Sequence, residues 1–128
     1  MDLEFEAGLL RIIDRFLAAP PTEDAFRRFD APFMRHWSEG ERRATAHLRE
    51  RMVGRRAGDP LPEGYKESMD ELMPADRRAF FGEIMDQLNE VALGDLTEAD
   101  RIDGLRSVDE FVGLLRQARE RYREQYGC

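Results

Sequence analysis

The sequence predicts an all-α fold, an antiparallel four-helix-type bundle with extra short helices, and three observations carry that prediction. Apolar residues recur at three- and four-residue spacing through several long stretches, the pattern of one helix face. No segment alternates apolar and polar residues over the length of a strand. Proline, glycine and short capping residues punctuate the helical stretches. At 128 residues the chain is one domain, residues 1–128, large enough to bury a core without a disulfide or a metal. Amphipathic helices in so short a chain cover their apolar faces by packing on one another.

The first helix is expected over residues 2–18. Leu3, Leu9, Leu10, Ile12, Ile13, Phe16 and Leu17 make its apolar face, Asp2 is its N-cap, and Glu4 and Glu6 suit the positive helix start. Pro20-Pro21 ends it. Thr22 caps a second helix, whose Phe26, Phe29, Phe33 and Trp37 form an aromatic stripe. Pro32 predicts a kink or a break there, with Asp30 restarting the helix. Ser38 and Glu41 match a capping box, so a third helical stretch should run to about Val53, with Ala44, Leu48 and Met52 on one face and arginines on the other. The segment 54–64, with three Gly and two Pro, reads as a loop. A short helix follows over 65–73, and Pro74 suits the first turn of the next. In that helix Phe80, Phe81, Ile84, Met85, Leu88, Val91 and Ala92 give the strongest amphipathic pattern, with Glu83, Asp86 and Glu90 opposite and Gly94 as the C′ glycine. After an acidic connection over 95–106, Ser107 and Glu110 form a second capping box. Phe111, Val112, Leu114, Leu115, Ala118 and Tyr122 define the last helix. Arg116, Arg119, Arg121 and Arg123 stand near its end, where cations are favoured.

Charge is dense and sorted along the chain. Charged residues make up 37%, well above the usual quarter, and the net charge is −7. From Asp59 to Asp103 thirteen acids stand against four basic residues, whereas Arg42, Arg43, Arg49, Arg51, Arg55 and Arg56 stand against Glu50 alone. The negative balance repels phosphate surfaces, so direct nucleic-acid or anionic-membrane binding is not expected. No apolar stretch is long enough to span a bilayer, the first residues lack the basic and apolar regions of a signal peptide, and Cys128 is the only cysteine. A soluble cytoplasmic protein is the expectation.

No complete catalytic or metal constellation is visible. His36 and His47, the only histidines, lie eleven apart and show neither zinc nor di-iron spacing, so no metal and no cofactor is expected. Ser38 and Ser107 read as N-caps, Ser68 has no histidine near it in sequence, and Cys128 has no fixed base beside it. Paired carboxylates such as Asp70-Glu71 fall on solvent faces, whereas acid–base catalysis needs a desolvated cleft. The aromatic stripe reads as core. The Arg42–Arg56 stretch either binds phosphates or pairs with this chain's own acids, and the total charge favours pairing. The best site candidate is the set Glu83, Asp86, Glu90, Asp95, Glu98, Asp100 and Asp103, with Arg101 the one base among them. It reads either as a solubilising surface or as a docking face for a basic partner. Docking would relieve repulsion among crowded like charges and give steered, salt-sensitive association.

Four stretches resemble, in order and texture, the colicin-D-type immunity proteins, small helical proteins of bacterial self-protection. Leu9-Leu10-Arg11-Ile12-Ile13-Asp14-Arg15-Phe16-Leu17 is similar to their opening helix, and Thr22-Glu23-Asp24-Ala25-Phe26-Arg27-Arg28-Phe29 to their second-helix start. Residues 85–103 resemble their penultimate helix and acidic loop, and residues 107–122 their closing helix. That loop in the family often holds an aromatic residue and a proline, where this chain has Val91-Ala92-Leu93-Gly94-Asp95-Leu96. The resemblance implies a four-helix bundle that binds a cognate protein toxin, often a basic nuclease, and blocks its active site with acidic side chains that mimic nucleic-acid charge. The expectation is therefore a non-enzymatic, antitoxin-like immunity protein that acts by stoichiometric binding through the acidic set. The alternatives are a regulatory or scaffold bundle, homodimeric through Arg42–Arg56 or the aromatic stripe, and a small enzyme whose site only the fold assembles.

Overall fold

Three helix starts follow directly from capping chemistry. The Asp2 carboxylate accepts from the Phe5 amide at 3.0 Å, the Thr22 hydroxyl from Ala25 at 3.1 Å, and the Ser107 hydroxyl from Glu110 at 3.1 Å. Each satisfies an N–H that has no partner within its own helix. The computed structural model describes all 128 residues. Its elements are α1 (Leu3–Ala18), α2 (Glu23–Ala44), a 3₁₀ turn (Ala46–Leu48), α3 (Arg49–Met52), α4 (Tyr65–Leu72), α5 (Ala75–Leu88), α6 (Glu98–Ile102) and α7 (Val108–Tyr126). The protein is all-α, with four long helices and three short ones. Its one β-type pairing is an isolated bridge between Val91 and Arg106.

Helices α1 and α2 run antiparallel. Phe16 near the end of α1 stacks on Phe29 at 4.7 Å between ring centroids and meets Phe26 edge-on. Phe5 near the start of α1 lies against Trp37 and Gly40 near the end of α2. Two glycines permit this approach: a Cβ on Gly40 would collide with the Phe5 ring, and one on Gly8 with the His36 imidazole. His36 then bridges the helices. Its Nε2 donates to the Phe5 carbonyl at 3.0 Å, and its ring stacks on the Phe5 ring at 5.3 Å.

Helix α2 corrects the expected boundaries. It runs unbroken through Pro32, without a restart at Asp30, and through Ser38–Glu41, without a new helix start. Pro32 deprives the Arg28 carbonyl of its usual donor. Arg28 is exposed, so water can satisfy that carbonyl, and Phe29 and Phe33 stay buried on either side of the proline. Glu41 lies in the last turn of α2 and accepts from the Tyr65 hydroxyl at 2.5 Å. Only the 3₁₀ turn and the four-residue α3 follow α2. Helix α5 ends at Leu88, about a turn before its apolar pattern does, because Val91 joins the bridge to Arg106. Gly94 has the positive φ expected of it, 92°, but sits in the following loop.

The core joins the four long helices. Phe81 of α5 contacts Phe33 and Trp37 of α2 and Tyr122 of α7, and Phe111 of α7 meets Phe16, Phe26 and Phe29. Helix α7 runs antiparallel to α1, with Phe111 beside Phe16 and Arg119 bonded to Asp14 at 2.8 Å. It also runs antiparallel to α5, where the Tyr126 hydroxyl donates to Asp76 at 2.8 Å. This packing gives the bundle two ends. One collects the end of α1, the starts of α2 and α7 and the loop after α5, whose Gly94 approaches Glu23. The other collects the start of α1, the end of α2, α3 and α4. There Asp2 N–H donates to the Leu72 carbonyl at 2.9 Å, and His47 meets Ser68 at 3.1 Å. The 22 residues of α2 separate the two ends by about 33 Å.

Candidate functional site

The first end carries the acidic set, and the chain's own bonds divide it. Glu83 and Asp86 project from α5 on the side opposite buried Phe81, Ile84 and Leu88. Beyond α5 the backbone is clamped: Arg106 N–H donates to the Glu90 carbonyl at 2.8 Å, and Ala92 N–H to the Arg106 carbonyl at 2.8 Å. The Arg106 guanidinium also meets the Glu90 carboxylate at 3.2 Å. Helix α6 is opened by a reciprocal cap, with Asp100 N–H donating to the Thr97 hydroxyl and Thr97 N–H to the Asp100 carboxylate at 3.0 Å. The bonds from the Thr97 backbone and side chain hold the Asp100 pKa below the ordinary carboxylate value. Asp100 therefore serves as a structural cap, and Glu90 is neutralised by Arg106.

Five of the seven remain: Glu83, Asp86, Asp95, Glu98 and Asp103. All are exposed and none forms an ion pair. Arg101, the base among them, turns away to Glu110 at 3.0 Å, and that bond lowers the Glu110 pKa. The scaffold thus places a group of free carboxylates at one end of the bundle, on backbone held by a bridge and two caps. Such a surface can attract a cationic partner over a Debye length and dock with it, at a strength that falls with salt.

These arginines do not neutralise this surface, and of the internal pairing favoured above for Arg42–Arg56 one ion pair forms, Arg43 with Asp2. They stand at the opposite end, where Arg43 approaches Asp2 at 3.9 Å, Arg51 donates to the Glu63 carbonyl at 3.3 Å and Arg55 to the Asp59 carbonyl at 2.8 Å. None reaches the segment 83–103.

The fold also assembles contacts that spacing concealed. Ser68 does have a histidine partner, His47, twenty-one residues earlier. The Ser68 hydroxyl donates to the Gly64 carbonyl at 2.9 Å, so the imidazole N–H donates to the hydroxyl oxygen, tying the segment after α2 to α4. Glu6 is not a helix-start acid facing water. It is buried, bonded to Arg77 at 2.6 Å and to the Tyr122 hydroxyl. Its position on the same face as Leu9, Leu10 and Ile13 was the signal for that burial. No three His, Cys, Asp or Glu side chains converge closely enough to hold a metal ion. No helix is long and apolar enough to cross a membrane.

No protein-family model, curated protein or solved structure matches the chain. The functional reading accordingly rests on the charged ends.

Proposed function

We propose that the protein is a stoichiometric, non-enzymatic inhibitor of the immunity-protein type. It acts in the bacterial cytoplasm and uses its acidic end to occupy the basic cleft of a cognate protein toxin. One observation carries the reading: Glu83, Asp86, Asp95, Glu98 and Asp103 are exposed at one end of the bundle without a single ion pair, while the arginine-rich segment lies at the other. Crowded free carboxylates repel one another, and a basic cleft relieves that repulsion on binding. The rigid helical support limits the ordering cost of the complex.

The test is capture of a basic protein toxin from the native host on the immobilised protein, with elution by salt. The variant to compare is Glu83→Lys/Asp86→Lys/Asp95→Lys/Glu98→Lys. Asp100 is left intact because its reversal would also remove the α6 cap. The expected outcome is an affinity loss of at least about tenfold, mostly in the association rate, with unchanged helical circular dichroism. A toxin that binds the reversed variant as tightly as the native protein rules the acidic end out as its docking surface.

A further inference from the structure

The basic end has its own docking architecture. Between the end of α2 and α3 lies an open groove of about 420 Å³, with Arg42 and Arg49 on its walls, Ser38 and Thr45 beside them, and apolar Met52 and Val53 along it; Glu41, the one carboxylate in its lining, is bonded to the Tyr65 hydroxyl. Arg42, Arg49, Arg51, Arg55 and Arg56 form no ion pair with any carboxylate, and Val53 is 77% exposed. The acidic end has the reciprocal make-up. Its helix α6, which carries Glu98 and ends at Asp103, also bears an aliphatic side chain, Ile102, that is 79% exposed. An apolar anchor inside a charged rim is the make-up of a protein docking surface.

We propose that the groove of the basic end receives the acidic end of a second copy of this chain, so that copies associate head to tail. Charge complementarity selects this occupant. Five arginines without an ion pair, two of them lining the groove, complement five carboxylates without one, and each surface offers one bare aliphatic group to the other. A contact of like ends would set charges of one sign together, which disfavours a dimer joined basic end to basic end. Each such contact joins unlike surfaces and leaves one groove and one acidic end open at the limits of the assembly. The association is heterologous and builds chains or rings. The net charge of −7 and the acidic end itself oppose a nucleic acid in the groove. The inference requires only that the acidic end be free, and does not depend on the toxin reading.

Sedimentation velocity on the full chain tests it. At about 0.01 M salt the weight-average mass is expected to rise above the 14.9 kDa monomer with protein concentration, and at about 1 M salt to return to it. Arg49→Gln/Arg51→Gln/Arg55→Gln removes three of the five free charges from one end, and Asp86→Asn/Glu98→Gln/Asp103→Asn three of the five from the other. Each variant alone is expected to stay monomeric. An equimolar mixture is expected to form dimers and stop there, because each molecule keeps one working end. That recovery also shows that both variants fold. A wild type that is monomeric at every salt concentration overturns the proposal, as does association that either triple variant retains or a mixture that yields no dimer. A single-stranded oligonucleotide bound by the monomeric wild type and lost in the arginine variant would assign the groove to nucleic acid and also overturn it. The arginine variant is expected to capture the toxin as well as the native protein does, so this inference and the toxin reading fail separately.

Discussion

A carboxylate that is 4% exposed must find its compensation inside the protein. Glu6 finds it in the Arg77 guanidinium and the Tyr122 hydroxyl, with the Cys128 Sγ 3.6 Å from its other oxygen. One side chain of α1 thereby fixes α5 and α7. Burial first, and then the bond to Glu6, raises the Tyr122 pKa far above the ordinary phenol value. Burial first, and then the bond to Glu41, pushes Tyr65 up to about 12. A group whose folded pKa lies above its unfolded one contributes stability that is complete below the unfolded value. That contribution is lost as pH rises through the folded value. For these phenols the loss begins near pH 10 and is well advanced by about pH 12. The urea midpoint is therefore expected to hold steady from about pH 8 to 9 and to fall steeply above about 10. Tyr122→Phe should be less stable at neutral pH yet shallower in its alkaline decline. A native protein with a flat midpoint to about pH 12 would contradict both assignments.

At the scale of elements, local chemistry made some boundaries legible and tertiary packing overrode others. The caps at Asp2, Thr22 and Ser107 could be read because an N-cap acts within three residues of itself. The Thr97–Asp100 cap obeys the same spacing and was equally readable, so Asp100 could have been set apart from the docking acids. The pairing of Glu90 with Arg106 depends on the bridge beside it, and the opposition of the two charged ends depends on the whole helix arrangement, so neither was legible. The length of α2 was hidden for an energetic reason. A mid-helix proline costs about 3 kcal/mol, whereas burying Phe26, Phe29 and Phe33 returns about 1.5–3 kcal/mol each. Gly40 is a weak helix former, and its role is to admit the Phe5 ring. Two helix-interior glycines therefore predict opposite results. Gly113 has open space around it, so Gly113→Ala is expected to stabilise the protein by about 0.5–1 kcal/mol. Gly40→Ala is expected to destabilise it by about 1–3 kcal/mol through overpacking. Chemical denaturation of the two variants decides it, and the reverse order would show that α1 and α2 do not meet at Gly40.

Across the whole molecule, stability follows the aromatic core, and the charged ends do not share it equally. Ring contacts run without a gap from Phe26 and Phe111 through Phe33 and Phe81 to Tyr122 and Tyr126. The acidic end is tied into that core, because Val91 and Arg106 bridge directly ahead of buried Val108 and Phe111. The segment 53–63 of the basic end is not. Residues 53–63 include no buried side chain, and local bonds hold them, such as the Arg56 amide to the Asp59 carboxylate at 2.7 Å. Local opening costs least where apolar burial is least. Native-state hydrogen exchange of the free protein should therefore show two tiers. Amides in the buried turns of α1, α2, α5 and α7 should exchange only with global unfolding, and those of 53–63 through openings of no more than about 1–2 kcal/mol. The segment 89–106 should fall between them, slowest at Ala92 and Arg106, whose N–H groups form the bridge. Uniform protection from 53–63 through α2 would mean that this segment is part of the rigid core.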